Sequence, residues 1–469
     1  MRVTSEEMLN GPVGSVLVRM TIPMVIAIQM MILFQVVDTY FVGLLGTVEL
    51  AAISFTFPVT FILVSLVIGL GIATSVQLAK AIGQGKQDVA RRITTDSILL
   101  TVIVAIVVSI GGILTVDPLF KLLGATEQTL GFIHDYMDIW YFFIGLMIVP
   151  MIGNSAIRAT GDTKWPSIVM IISGLINAVL DPVLIFGIDQ IPAMGVKGAA
   201  VATVISWMLG LCMSLWILRV REKLLSFDIP DLDELQKYAR TLFKMGIPIS
   251  IANMLTPISA AILTALIARY GEHVVAGFGA GSRIEAFFLV VSYGSTASLS
   301  PYMVQNLWAR NFDRARKALK LSIRFVFVFQ LALYPLIYVL APTFAGVFSS
   351  DAEVLEVAIL FLRIMPLGFC FYSVLIIFNT GFNAAHQSNK TLVVSLIRVF
   401  ACCVPLAWLG GLIYGVPGIF IGSVVGNGVA ALIGWQILKK CYNGIEDHAI
   451  FKVEKPHDFT TAELKGERV

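Results

Sequence analysis

Runs of roughly 20 apolar residues, the length that crosses about 30 Å of hydrocarbon as helix, recur along nearly the whole chain between short polar breaks. About twelve are present, centred near Ile28, Leu63, Ile103, Phe143, Ile172, Ser206, Pro257, Val290, Phe329, Phe369, Cys402 and Gly428. Few alternate polar and apolar residues as barrel strands do, which leaves helices as the spanning element. The pattern predicts an all-α integral membrane protein.

Composition agrees. The 469 residues are 57% hydrophobic and only 13% charged, whereas about a quarter of a soluble domain is charged. The start, "MRVTSEEMLNGPVGS", lacks the compact basic, apolar and small-residue pattern of a cleaved signal, so the first helix is expected to stay as an anchor. The five cysteines have no CxxC spacing and lie in or beside apolar segments, which points to neither a disulfide framework nor zinc.

The net charge is +3, and its distribution says more than its size. Basic residues cluster in alternate loops, among them Lys80, Lys86, Arg91 and Arg92, then Arg219, Arg221, Lys237 and Lys244, then Arg310, Arg314, Arg316 and Lys317. The opposite loops hold Lys121, Lys197 and Arg269. By the positive-inside rule both termini are cytoplasmic, and the expected location is the cell's inner (plasma) membrane. The basic runs are short, scattered and free of interleaved aromatics, so nucleic acid is not an expected partner. The expected partners are the lipid bilayer and small organic solutes, with the protein working as a monomer.

An internal repeat organises the chain. Setting "TIPMVIAIQ" on "GIPISIANM" aligns Pro23 with Pro248, and the same offset of 225 pairs Gly46 with Gly271, Gly69 with Gly294, Asp88 with Asp313 and Arg91 with Arg316. Further on, "GVKGAAVAT" at Gly195 resembles "GVPGIFIGS" at Gly415. The expected organisation is two pseudo-symmetric six-helix bundles, residues 1–221 and 239–441, with a cytoplasmic linker 222–238 and a cytoplasmic tail 442–469. Six spans per half put both halves in the membrane in the same sense, an architecture suited to alternating access.

An ionisable group in mid-span costs about 2.5–3.5 kcal/mol on insertion scales, so each one needs a partner, water or a task. Asp38 lies in "ILFQVVDTYFVG" and Asp181 in "INAVLDPVLIFG", each one to two turns before a helix-ending glycine and therefore at a shared depth. Gln35 precedes Asp38 by three residues and Asn177 precedes Asp181 by four, so each acid has a polar neighbour on its own helix face. The repeat places Leu263 opposite Asp38, and no acid opposite Asp181. The alternatives are local: Asp181 capping a helix broken at Pro182, and Asp38 hydrogen-bonded to a neighbouring helix. Two acids in one dry pocket repel, and a proton or a cation such as Na⁺ would neutralise them and couple an ion gradient to a change of shape.

Glu285, in "GAGSRIEAFF", is the acid expected inside the second half, either structural or in contact with cationic cargo; Arg283 is close in sequence but does not face it on a helix. His134, Asp135 and Asp138 read as solvated rim residues. "IGQGKQD" lacks the spacing of a phosphate loop, and "GFGAGS" lacks the strand a dinucleotide fold requires, so no enzyme, no ATP site and no cofactor is expected.

Over roughly residues 12–440 the chain resembles the multidrug and toxic compound extrusion (MATE) family, most specifically in "AIRATGDTKWPSIVMIISGLINAVLDPVLIFG", "GVKGAAVAT" and "AGSRIEAF". The aspartate in the first helix is similar to the prokaryotic subgroup with its cation site in the N-terminal lobe. That resemblance implies a multidrug antiporter exporting amphipathic, mostly cationic compounds in exchange for H⁺ or Na⁺. It places the ion site on Asp38, Asn177 and Asp181, with Thr203 as a further oxygen ligand and Tyr136 and Asn154 in the supporting network. The rival reading is a lipid-linked oligosaccharide flippase of the same superfamily, whose phosphate-bearing cargo calls for a more cationic cavity than this acidic inventory provides.

Overall fold

The structure is a computed structural model describing residues 3–188, 191–226, 231–347 and 351–445. Part of the expected linker, 227–230, and most of the expected tail, 446–469, lie outside the described residues.

The helices are α1 (Ser5–Asn10), α2 (Val13–Gly43), α3 (Thr47–Gly83), α4 (Gln87–Leu122), α5 (Glu127–Phe142), α6 (Ile144–Ala159), α7 (Lys164–Phe186), α8 (Val196–Trp216), α9 (Leu232–Ile267), α10 (Glu272–Trp308), α11 (Phe312–Gly346), α12 (Ala352–Ala384), α13 (Ser388–Leu396) and α14 (Val404–Tyr442). Short π-helical turns, Ile217–Arg221 and Ile397–Cys403, extend α8 and join α13 to α14.

Among the described residues, ten helical stretches are long and apolar enough to cross a membrane, and α5 with α6, bent by 50°, makes one more. The stretch Ser388–Tyr442 contains Gly415 at φ 64°, ψ −141°, which breaks it in two. The twelve spans expected from the sequence are thereby accounted for. The apolar run centred near Phe143 is the bent one, with Phe143 itself (φ −101°, ψ 11°) outside helical geometry.

The repeat extends to individual caps and turns. A shift of 225 carries the bounds of α3 onto those of α10, and the outer limits of α5 and α6 onto those of α12. The helix N-caps Thr126 and Asp351, the ion pairs Arg91–Asp88 (3.7 Å) and Arg316–Asp313 (3.5 Å), and the left-handed residues Gly85 with Arg310 and Gly161 with His386 all obey the same shift. The glycine motifs share a geometry as well. Gly195 (φ 57°, ψ −133°) and Gly415 both adopt a conformation open mainly to glycine. Three residues later, Gly198 and Gly418 lie against the backbone carbonyls of Leu184 and Gly410, where a Cβ would collide.

Contacts divide the chain into two compact units. One contains residues 22–247; the other contains Ser5–Thr21 and the described residues from Pro248 onward. The second unit has an aromatic core in which Phe361 meets Phe278 and Phe420 edge-on, with ring centroids 5.5 and 5.4 Å apart. Its α1, which the hydrophobic pattern does not signal, is tied to α10 and α11 by Ser5 donating to Gln305 (2.7 Å) and by Arg314 and Asn306 donating to the Met8 carbonyl.

A carboxylate pair between α2 and α7

The α7–α8 hairpin builds most of the candidate site. Gly187 (φ 76°) ends α7, the N–H groups of Met194 and Gly195 donate to the carbonyls of Leu184 and Ile185 (3.0 and 3.1 Å), and Ile188 pairs with Ile191. With Gly198 against the Leu184 carbonyl, the two helices pack closely enough for side chains to meet across them. Asn177 Nδ2 donates to Asp181 Oδ1 (3.2 Å) on its own helix and to Thr203 Oγ1 (3.3 Å) on α8, while the Thr203 hydroxyl donates back to the Ala199 carbonyl (2.9 Å).

α2 brings the second acid. Gly174 on α7 leaves room for the ring of the buried Phe34, and Ser167 donates to Met24 Sδ (3.4 Å), so α2 lies directly on α7. One turn beyond Phe34, the Asp38 carboxyl comes within hydrogen-bonding reach of Asp181. Both acids stand five residues before the last residue of their helices, the shared depth expected from the sequence.

Asp181 is fully buried, and its Oδ2 meets no donor among the described residues. Its carboxyl caps no backbone amide in the described hydrogen bonds, and α7 continues unbroken through Pro182. Pro182 cannot donate a backbone hydrogen bond, yet the carboxylate does not replace it. What Asp181 has instead is one side-chain amide and a second carboxyl group. Two facing carboxylates repel while both are charged, and a proton or a cation between them removes that repulsion.

One turn further toward the α7–α8 connection lies an apolar cluster. Val42, Ile53, Ile185, Val196 and Ala199 form a buried cluster, with Phe41, Leu45, Phe132 and Tyr136 packed against it. Tyr136 is also near enough to interact electrostatically with both acids. Gln35 is exposed and has no described side-chain hydrogen bond; Thr39 donates to its carbonyl (2.9 Å). Asn154 is buried on α6 with Oδ1 lacking a donor, and no described bond links it to the acids. The structure thus brings together Asp38, Asp181, Asn177, Thr203 and Tyr136, and not Gln35 or Asn154.

The Asn177 amide provides a test of this arrangement. Replacing it by leucine leaves the buried Oδ1 of Asp181 without its donor, an expected loss of about 1–3 kcal/mol, read as a lower thermal unfolding temperature. Adding Asp181→Asn to that variant should restore part of the loss, because the uncompensated carboxylate is then gone.

The rim residues are paired: His134 contacts Asp138 (3.0 Å) and Asp117 (3.4 Å), and Lys197 contacts Asp135 (3.1 Å). In the second unit, Glu285 is half-buried and Arg283 is exposed. The cation that acts on Glu285 is Arg398, buried in the π-helical turn and missing from the sequence inventory. Its signal was available, since an arginine within "VSLIRVFACCV" is as anomalous as the aspartate within "INAVLDPVLIFG".

Among the described residues, no group of three or more His, Cys, Asp or Glu side chains has the arrangement of a metal site. The MatE family model matches residues 23–183 and again 248–409, beginning at the two prolines that open the repeat. An FAD transporter of Shewanella oneidensis is 39% identical over 90% of this chain and 93% of its own length. The probable multidrug resistance protein YoeA of Bacillus subtilis is 26% identical over 78% of this chain and 80% of its own. Among solved structures, a mutant of the Vibrio cholerae MATE transporter VcmN superposes with a TM-score of 0.89 at 30% identity, covering 94% of this chain and 99% of that one. Matched in both halves by the family model and along nearly its full length by these relatives, the chain belongs to the MatE family and is a multi-pass membrane transporter rather than an enzyme.

Proposed function

We propose that this transporter is a secondary active exporter in which the Asp38–Asp181 pair takes up the coupling ion, H⁺ or Na⁺. The observation that carries the reading is the approach of two carboxyl groups from different helices, one fully buried and with an oxygen lacking a donor. A proton shared by the pair, or Na⁺ held by oxygens of Asp38, Asn177, Asp181 and Thr203, turns repulsion between α2 and α7 into attraction. Occupied and empty pairs then favour different packings of the same helices, which is the requirement for coupling. In this reading the lobes are residues 1–221 and 239–441, joined by the linker 222–238. The protein works as a monomer in the cell's inner membrane, with both termini cytoplasmic.

The cargo is a small organic solute, and two classes compete. The Shewanella relative, an FAD transporter at 39% identity, supports a flavin dinucleotide. Amphipathic cations, the class implied by the family resemblance, draw support from the multidrug protein YoeA at 26%. Glu285, expected to be either structural or in contact with such a cation, has the charge of Arg398 acting on it; this favours the flavin reading. In proteoliposomes we expect an H⁺ or Na⁺ gradient to accelerate export of FAD more than that of ethidium. Gradient-driven export of ethidium with none of FAD would reverse the assignment. Movement of neither would favour the flippase.

A further inference from the structure

Five polar side chains converge in the second unit, away from the carboxylate pair. Arg398 has its guanidinium carbon 4.5 Å from the centroid of the Tyr372 ring and donates one long hydrogen bond to Thr256 Oγ1 (3.4 Å). The Thr256 and Tyr372 hydroxyls are 3.1 Å apart, and Tyr293 is near enough to Tyr372 to interact with it electrostatically. Glu285 interacts electrostatically with Arg398 and Tyr293. None of these residues lies within two turns of an end of its helical stretch.

A structural ion pair in an apolar setting closes to direct contact, because only close contact repays the desolvation of two charges. This one does not close. Among the described residues, Arg398 and Glu285 form no ion pair within 4.0 Å, and Glu285 makes no hydrogen bond. Apart from the bond to Thr256, the guanidinium donors are unused, although only 8% of Arg398 is exposed. A guanidinium over an aromatic ring keeps the N–H groups in its own plane available for hydrogen bonds. Glu285, Tyr293, Tyr372 and Thr256 are each half-buried, so the cluster is reachable from the surface of its unit.

We propose that Arg398, Glu285, Tyr372 and Thr256 form a cargo subsite for an aromatic organic anion. Arg398 receives the phosphate or carboxylate through its guanidinium edge, and Glu285 accepts a hydrogen bond from a hydroxyl or amine of the same solute. The site orients a molecule that carries an anionic group and a donor some distance apart. Its place in the transport cycle rests on the exporter reading above; its binding chemistry does not.

Binding to the purified full-length protein tests it. The probes are FMN against riboflavin, and 4-methylumbelliferyl phosphate against 4-methylumbelliferone, each pair alike in its ring system and differing in phosphate, with FAD tested alongside. Arg398→Gln should weaken the phosphate-bearing member by roughly tenfold to a hundredfold, as loss of a charge-assisted hydrogen bond does, and leave its partner nearly unchanged. Arg398→Lys, which keeps the charge and loses the fork, should fall between. Glu285→Gln, as a second variant, should alter affinity without removing the preference for phosphate. If the wild type prefers the umbelliferyl phosphate through Arg398 but binds no FAD, the subsite stands and the flavin cargo falls. Equal loss for both members of each pair in Arg398→Gln, or no phosphate preference in the wild type, would overturn the subsite.

Discussion

Asp38→Asn is expected to reduce gradient-driven export to the rate of protein-free liposomes while leaving the protein folded. Asparagine matches aspartate in shape and keeps a side-chain oxygen, so packing between α2 and α7 is preserved. It cannot gain or lose the proton, and it offers Na⁺ no charge. Asp181→Asn should abolish coupling in the same way, and it separates this account from a structural one. Asp181 is fully buried with an unmatched oxygen, so removing its charge should leave the thermal unfolding temperature unchanged or raise it. If Asp181 were a structural anchor, the same substitution would lower stability and leave coupling intact in whatever protein still folds. Transport assays paired with thermal melts of both variants decide between the two.

The second large effect is expected at Gly198. A Cβ there meets the Leu184 carbonyl and comes to 2.8 Å from the Ile185 nitrogen, both backbone atoms of a helix that cannot turn aside as a side chain can. Gly198→Val therefore forces α7 and α8 apart, at an expected cost of about 1–3 kcal/mol or more. It also draws Thr203 away from Asn177. Gly418→Val is the matched control, because Gly418 faces the Gly410 carbonyl in the other unit. Both variants should unfold at lower temperature, but only Gly198→Val should also weaken Na⁺ or proton binding at the acidic pair. Equal ion binding in the two would show that the hairpin does not set the site.

Much of this was legible in the sequence because a membrane limits the solutions. Apolar length gave the spans, and the offset of 225 foretold equivalent helix ends; that the aligned Asp88 and Asp313 make equivalent ion pairs is a finding of the structure. The pairing of "GVKG" with "GVPG" foretold that the last helices of the two halves correspond, and the structure adds a shared geometry at Gly195 and Gly415. Less legible was whatever depends on rotation about a helix axis. Depth along α2 and α7 could be counted, but the contact between Asp38 and Asp181 depends on Phe34 fitting over Gly174, a match between residues far apart in the chain. Gln35 lies three residues from Asp38, yet its side chain joins no described hydrogen bond. Arg398 was missed for a similar reason: Glu285 was compared with its sequence neighbour Arg283, whereas packing supplied a cation from another helix. The bend at Phe143 carries no proline to announce it.

The most direct measurement counts ions. Purified protein in weakly buffered solution is mixed with saturating cargo, and released protons are followed by a pH-sensitive dye, with a parallel experiment using radioactive Na⁺. The account predicts that the wild type releases one of these ions as cargo binds, and that the Asp38→Asn, Asp181→Asn double variant binds cargo but releases neither. Release of the same number of ions by the double variant would contradict the assignment of the coupling site to this pair.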